Sequence, residues 1–179
     1  MTYETHGVTT ELVQGDIANQ PDLEAVVNAA NAQLRTGGGV AGAIHRAAGP
    51  GLSEETRSMA PIQPGEAVMS GGHGLPNAHV IHVLGPVYGR DEPSGKLLRA
   101  GYDNALTLAE EHELTSIGFP AISTGAFGFP MQPAANIALQ TILDRAPDLQ
   151  HVSLIRFILF DQEALDIHKQ QLESARNGM

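Results

Sequence analysis

The stretch from Val26 to Gly49 limits this chain more than any other, because its character changes twice along its length. Glu24 to Val27 is a short apolar run rich in β-branched residues, as a buried strand requires. Asn28 to Gly39 is polar and then glycine-rich. Val40 to Ala48 carries apolar residues at 40, 43, 44, 47 and 48, a helical spacing, and stops at Gly49-Pro50. Strand, glycine loop and helix follow one another directly. Gly37, Gly38 and Gly39 at a helix entrance leave backbone N–H groups uncovered by side chains. Together with the positive end of the helix dipole they form an anion site, best suited to phosphate. A strained turn would need one glycine; three in a row point to a ligand that approaches the backbone closely.

The rest of the chain alternates in the same way. Val8 to Val13 reads as a strand that ends in the turn Gln14-Gly15-Asp16-Ile17. Asp16 there serves either as a turn cap or as an acceptor for an exocyclic amine such as that of adenine. Gly51 to Met59 reads as one or two helical turns, broken at Pro61, Pro64 and Gly65. Glu66 to Ser70 and Ala78 to Leu84 read as strands, with His79 and His82 on opposite faces and therefore unsuited to a shared metal. Tyr88 lies in the next loop as a candidate rim aromatic. Leu97 to Leu114 is amphipathic, with Leu98, Tyr102, Ala105, Leu106 and Ala109 on one face. Ser116 to Ile122 is a strand that opens into Ser123 to Pro130, a second loop of small residues interrupted by Phe127 and Phe129. A helix over Gln132 to Arg145, a strand over Val152 to Phe160 and a helix over Gln162 to Ala175 complete the series.

This alternation implies one α/β domain over residues 1–179, with a largely parallel sheet covered on both faces. Ligands of such sheets bind beyond the carboxyl ends of the strands. Asn28 to Gly39, Ser123 to Phe129 and Phe160-Asp161 all follow strands directly, so one cleft can use all three. Ser123, Thr124, Gly125 and Gly128 offer backbone and hydroxyl donors from the side opposite the first loop.

Charge narrows the ligand. Asp and Glu number 20 against 10 Lys and Arg, a formal net charge of −10, and only Lys96 and Lys169 are lysines. Such a surface repels a nucleic-acid backbone, so an anionic ligand must be held by amides and helix ends. There is no cysteine, which excludes a thiol nucleophile and a thiolate metal site. No segment reaches the length of a membrane span and the N-terminus lacks the pattern of a signal peptide, so the expected compartment is the cytoplasm. Gly37-x-Gly39-x-x-Gly42 matches the dinucleotide fingerprint literally. However, nine residues separate it from its strand, and position 62, where an acid should take the ribose, is Ile. Ser123 lacks the glycine two positions earlier that a nucleophile elbow needs.

Asn28-Ala29-Ala30-Asn31, Gly37-Gly38-Gly39-Val40 and Gly42-Ala43-Ile44-His45-Arg46-Ala47-Ala48-Gly49-Pro50 resemble the macrodomain family, in its MacroD-type branch. Gly15-Asp16-Ile17, His82 with Gly85-Pro86, and Phe119 to Gly125 with Gly128 continue the resemblance in order from Gly15 to Asp161. It implies a three-layer α/β/α sandwich with a central mixed, largely parallel sheet, binding ADP-ribose without metal or cofactor. Asp16 would accept from the adenine amino group beside the Ile17 amide, and Phe160 would lie against the adenine. Gly37, Gly38, Gly39, Val40 and Ala41 form one diphosphate loop; Ser123, Thr124, Gly125, Ala126 and Phe127 form the other. Asn31 would orient the distal ribose against Phe127, and these two with His45 make up the implied catalytic set. The implied activity is hydrolysis of mono-ADP-ribose from acidic side chains or of O-acetyl-ADP-ribose, by a monomer acting on ADP-ribosylated proteins. The alternatives are a non-catalytic reader and an ADP-ribose 1″-phosphate phosphatase. One departure stands out. The branch usually has Asp where this chain has Ala41, so His45 has lost its expected carboxylate neighbour. Some macrodomains resemble this chain in having Ala there and still remove ADP-ribose, with a substrate phosphate as the implied activator of water.

Overall fold

The computed structural model describes residues 1–178. Its strands are β1 (Thr2–Thr5), β2 (Val8–Gln14), β3 (Ala25–Ala29), β4 (Ala67–Gly71), β5 (His79–Val83), β6 (Ser116–Phe119) and β7 (Leu154–Leu159). The helices are α1 (Gly39–Ala48), α2 (Gly51–Thr56), α3 (Ser94–Glu111), α4 (Met131–Arg145) and α5 (Gln162–Asn177), with short 3-10 turns at Arg57–Met59 and Ala146–Asp148. The sheet runs β1-β2-β7-β6-β3-β5-β4. Its interior pairs are parallel, whereas β1 on β2 and β4 on β5 are antiparallel, so the sheet is mixed and largely parallel.

Period-two alternation divides the strands between two helical layers. Val27, Ile81, Phe119 and Phe157 face a core built with Leu98, Tyr102 and Leu106 of α3, Ala138 and Ile142 of α4 and Leu172 of α5. Their neighbours Val26, Val80 and Ile158 face the other way, onto Ile44 and Ala48 of α1 and Leu52 of α2. This is the three-layer sandwich. Among the described residues no helix is long and apolar enough to cross a membrane.

Element ends shift by one to three residues from the sequence reading, and two departures go further. Thr2–Thr5 forms an edge strand closed by a turn at His6 and Gly7, both with positive φ, 52° and 78°. It is only four residues long, with one apolar residue, Tyr3, turned to the core, so pairing with β2 is what defines it. β6 ends at Phe119 rather than Ile122, because Pro120 has no N–H to continue the ladder. The buried Tyr102 hydroxyl takes over there, donating to the Pro120 carbonyl (3.3 Å) and accepting from the Ile122 N–H (3.2 Å). That pair of bonds fixes the point from which the second special loop departs.

The topology also orders the loops. β2, β7, β6 and β3 lie side by side and run in one direction, so the loops after them emerge at one edge in that sequence. Asp16, Phe160, Ser123 to Phe127 and Asn31 to Gly39 are thereby set in a row.

Candidate functional site

At the carboxyl ends of β3 and β6 lies a cleft of about 300 Å³, lined by residues 29–31, 37–41, 85, 121–123 and 125–127. Its two long walls are the two special loops. Helix α1 opens at Gly38, which is extended (φ −87°), with no side-chain cap and no acidic residue in the first turn. The N–H groups of Gly37 to Ala41 have no acceptor within the protein, while Gly42 N–H is the first to bond back, to the Gly38 carbonyl at 3.2 Å. Glycine is required at two of these positions. Gly39 has φ +54°, and a methyl group on Gly42 would collide with the Gly37 carbonyl oxygen.

The second wall has the same property by a different route. Thr124, Gly128 and Phe129 N–H groups are satisfied by the carbonyls of Ala121, Gly125 and Ser123. Those of Gly125, Ala126 and Phe127 between them have no partner within the protein. The hydroxyls correct the sequence reading. Ser123 Oγ donates to the Pro86 carbonyl (2.8 Å) and Thr124 Oγ1 to the Ala121 carbonyl (2.8 Å), so both hydrogens hold the loop in shape and neither is offered to a ligand. Ser123 itself is held at φ +68°. The donors on this wall are therefore main-chain groups.

Asn31 lies in the cleft with its amide partly engaged. Its Oδ1 accepts from Arg35 N–H (3.0 Å) and its Nδ2 donates to the Arg35 carbonyl (2.8 Å), which clamps the loop. The second Nδ2 hydrogen remains free, and Nδ2 lies beside Gly37 at the cleft wall. Phe127 is half-buried. It lines the cleft and packs on the cluster of Ala30, Leu34, Ile62 and Leu84. Phe129 belongs to the main core, with Tyr88 tilted against it at 4.8 Å between ring centres.

His45 requires a correction. It does not line the cleft; it is buried under α1 with Nδ1 3.1 Å from Ser53 Oγ. Its Nε2 is buried without a partner, and burial holds its pKa below the usual histidine value. Nothing in the sequence marked Ser53 as its neighbour. Asp16, Ile17 and Phe160 lie outside the central cleft, at the ends of β2 and β7, where Gln14 and Leu159 are register partners. Asp16 is exposed, with Oδ1 accepting from Ala18 N–H at 2.9 Å. Ile17 buries its side chain, and its N–H makes no bond within the protein. Phe160 is 91% exposed, and Asp161 beside it caps α5 through the Ala164 N–H. Gly85 was not among the expected site residues. It lines the cleft because a side chain there would collide with Ser123 Oγ, the group that shapes the second wall.

Beneath the first loop runs a buried polar chain that sequence spacing could not reveal. The Ser70 hydroxyl donates to the Gly71 carbonyl, so His82 Nε2–H donates to Ser70 Oγ (2.9 Å) and His82 Nδ1 accepts from the Asn28 amide (3.1 Å). This locks the end of β3 to β5 and β4. Burial, reinforced by His45 nearby, lowers the His82 pKa to about 4. The unfolded chain protonates this histidine near its ordinary value of about 6.5. Stability from this group is therefore complete above pH 6.5 and falls as pH drops toward 4, by up to about 1.4 kcal/mol per pH unit. Urea midpoints between pH 7 and pH 4.5 should show that slope, reduced in His82→Gln. A slope unchanged by the substitution would mean that His82 charges freely in the folded protein.

The cleft-lining side chains include no acid, histidine, lysine or arginine. Among the described residues, no three histidine or carboxylate side chains are grouped as a metal set. The site is electrostatically a main-chain site, with unpartnered amides of Gly37 to Ala41 on one wall and of Gly125 to Phe127 on the other.

Residues 27–138 match the Macro domain family. The chain is 41% identical to a macro domain-containing protein of Chlorobaculum tepidum, over 92% of its own length and 96% of that protein. It is 40% identical to the O-acetyl-ADP-ribose deacetylase of Klebsiella pneumoniae, over 93% of this chain and 98% of that protein. A mutant of the Oceanobacillus iheyensis macrodomain, solved with ADPR, superposes with a TM-score of 0.95 at 36% identity, covering 99% of this chain and 98% of that one. The fold, the two glycine-bearing loops and these likenesses agree: the chain belongs to the macro domain family.

Proposed function

We propose that this macrodomain binds ADP-ribose and hydrolyses its ester linkage, to acidic protein side chains or to acetate. The observation that carries this reading is the pair of facing rows of unpartnered N–H groups, Gly37 to Ala41 and Gly125 to Phe127. A diphosphate supplies acceptors for both rows at once, and it needs no lysine or arginine to do so. Asp16 and Phe160, at the ends of β2 and β7 along the same edge, take the adenine. Asn31 and Phe127 take the distal ribose, whose C1″ carries the ester. Because no side chain in the cleft is a base, the attacking water is oriented by Asn31 and activated by a phosphate oxygen of the ligand itself. His45 acts from behind, as a positioning residue.

Incubation with an Asp- or Glu-linked mono-ADP-ribosylated protein, followed for release of ADP-ribose, tests the activity. Calorimetry with free ADP-ribose tests the pocket separately. Binding without release over long times would favour the second reading, a non-catalytic reader, for which Ala41 and the uncharged cleft are the specific support. The adenine end has its own test. Asp16 is exposed, and one of its oxygens is already engaged, so Asp16→Ala should weaken binding by about 1.5 kcal/mol, roughly tenfold, the low end for a hydrogen bond to a charged group. Unchanged affinity would reduce Asp16 to a turn cap.

A further inference from the structure

Next to the cleft lies a second, larger depression of about 510 Å³, lined by Gln33, Arg35, Thr36, Ser53, Arg57 and Ala60. The two share a wall. Asn31 and Gly37 face the cleft, while Gln33, Arg35 and Thr36, between them in the chain, face the groove. Phe127 and Ala60 pack on one apolar cluster and separate the two spaces. A group attached to the distal ribose therefore leaves the cleft beside this groove.

The charge of the groove is unusual for this chain. Among the described residues Arg90, Arg99, Arg145 and Arg156 each have a carboxylate within ion-pair reach. Arg35, Arg46, Arg57 and Arg176 have none, although the chain carries 20 acidic residues, and of these four Arg35 and Arg57 line the groove. Glu55, on the same helix as Ser53, is turned away onto His73 (2.7 Å) and the Gly71 N–H (3.1 Å). Two exposed guanidiniums are thus left facing a groove with neutral hydrogen-bonding groups, Gln33, Thr36 and Ser53, between them. None of the lining residues is aromatic, so a nucleobase has nothing to stack on.

We infer that this groove takes the acidic stretch of polypeptide next to the modified residue of an ADP-ribosylated protein. The inference rests on the ADP-ribose reading of the cleft and adds the feature that selects among its protein substrates. Carboxylates pair with Arg35 and Arg57, and the peptide backbone bonds to the neutral side chains. The overall charge of −10 makes this patch the local exception to a surface that otherwise repels acidic partners.

The test uses two peptides that carry mono-ADP-ribose through a non-hydrolysable linkage, one with Asp and Glu on both sides of the modification and one with Gln and Asn. Binding rather than turnover is measured, so the result stands whether or not the protein is a hydrolase. Failure of both peptides and of free ADP-ribose to bind would sink the cleft reading itself. The acidic peptide should bind about 3- to 10-fold more tightly than the neutral one, the size expected for two exposed ion pairs. That preference should shrink in 0.5 M salt and disappear when Arg35→Gln and Arg57→Gln are combined. Arg57→Gln alone should leave the affinity for free ADP-ribose unchanged. Equal binding of the two peptides by the parent, or a preference that survives both substitutions, overturns the proposal. An arginine-dependent gain seen only with a second ADP-ribose unit in place of the acidic residues also overturns it, in favour of a nucleotide occupant.

Discussion

Gly38→Glu should reduce affinity for ADP-ribose about 1,000-fold or more, with the fold unchanged. Gly38 is extended at φ −87°, a conformation open to any residue, and an added Cβ has no atom within 4 Å. The side chain therefore costs the native structure little and projects into the ligand's space. It places a carboxylate in front of N–H groups that otherwise have no acceptor, so the substitution both obstructs the diphosphate and repels it. Loss of two charge-assisted bonds at about 2 kcal/mol each is enough for a thousandfold change. Arg46→Ala is the paired control. Arg46 is the one arginine carried by helix α1, yet it does not line the cleft, and its guanidinium lies over Gly42. Its removal should change affinity less than threefold. Calorimetry, with a thermal melt to confirm folding, decides between a main-chain and a side-chain anion site. Comparable losses in both variants would mean that a guanidinium holds the phosphate.

Ala41→Asp should raise the single-turnover rate by about 10- to 100-fold, the lower part of what a positioned acid–base group contributes. Ala41 is 5% exposed, lines the cleft in the first turn of α1, and lies one helical turn before His45. The buried Nε2 of His45 has no partner, while Nδ1 is engaged by the Ser53 hydroxyl. With Nδ1 accepting from Ser53, the imidazole carries its hydrogen on Nε2, and a carboxylate one turn earlier supplies an acceptor for it. It also gives the cleft a carboxylate that can act as general base. Two phosphate charges nearby oppose it, so affinity for free ADP-ribose should stay level or fall slightly. Asn31→Ala in the Ala41→Asp background should remove the gain, because the ribose is no longer held for attack. An equal or slower rate with binding preserved would show that the ligand phosphate already activates water as well as a side chain can.

How much of this was legible in the sequence follows from what each feature depends on. Val26 and Val27 announced a strand buried on both sides, and the two fall into opposite cores. The Gly37 to Gly39 run announced an open helix entrance, because glycine limits backbone cover locally. Features set by distant partners were not readable. The Ser123 and Thr124 hydroxyls looked like ligand donors until Pro86 and Ala121 were found to accept from them. His45 looked like a cleft residue by its place in the motif, but its direction is set by Ser53 on the next helix. Phe127 and Phe129 are two residues apart in one loop, yet one faces the cleft and the other the core. Thr2–Thr5 was too short to show a period, with Tyr3 its one apolar residue, and is defined by its neighbour β2.

A surface made of main-chain amides has no side chain to delete. Substitution at residues 37–41 or 125–127 leaves each N–H in place and alters only what stands in front of it; proline alone removes a donor. Failure at these loops comes by obstruction or bending, never by stripping out a charged residue. Substitutions beside these loops, at Arg35 or Arg57 for example, leave the amides themselves untouched.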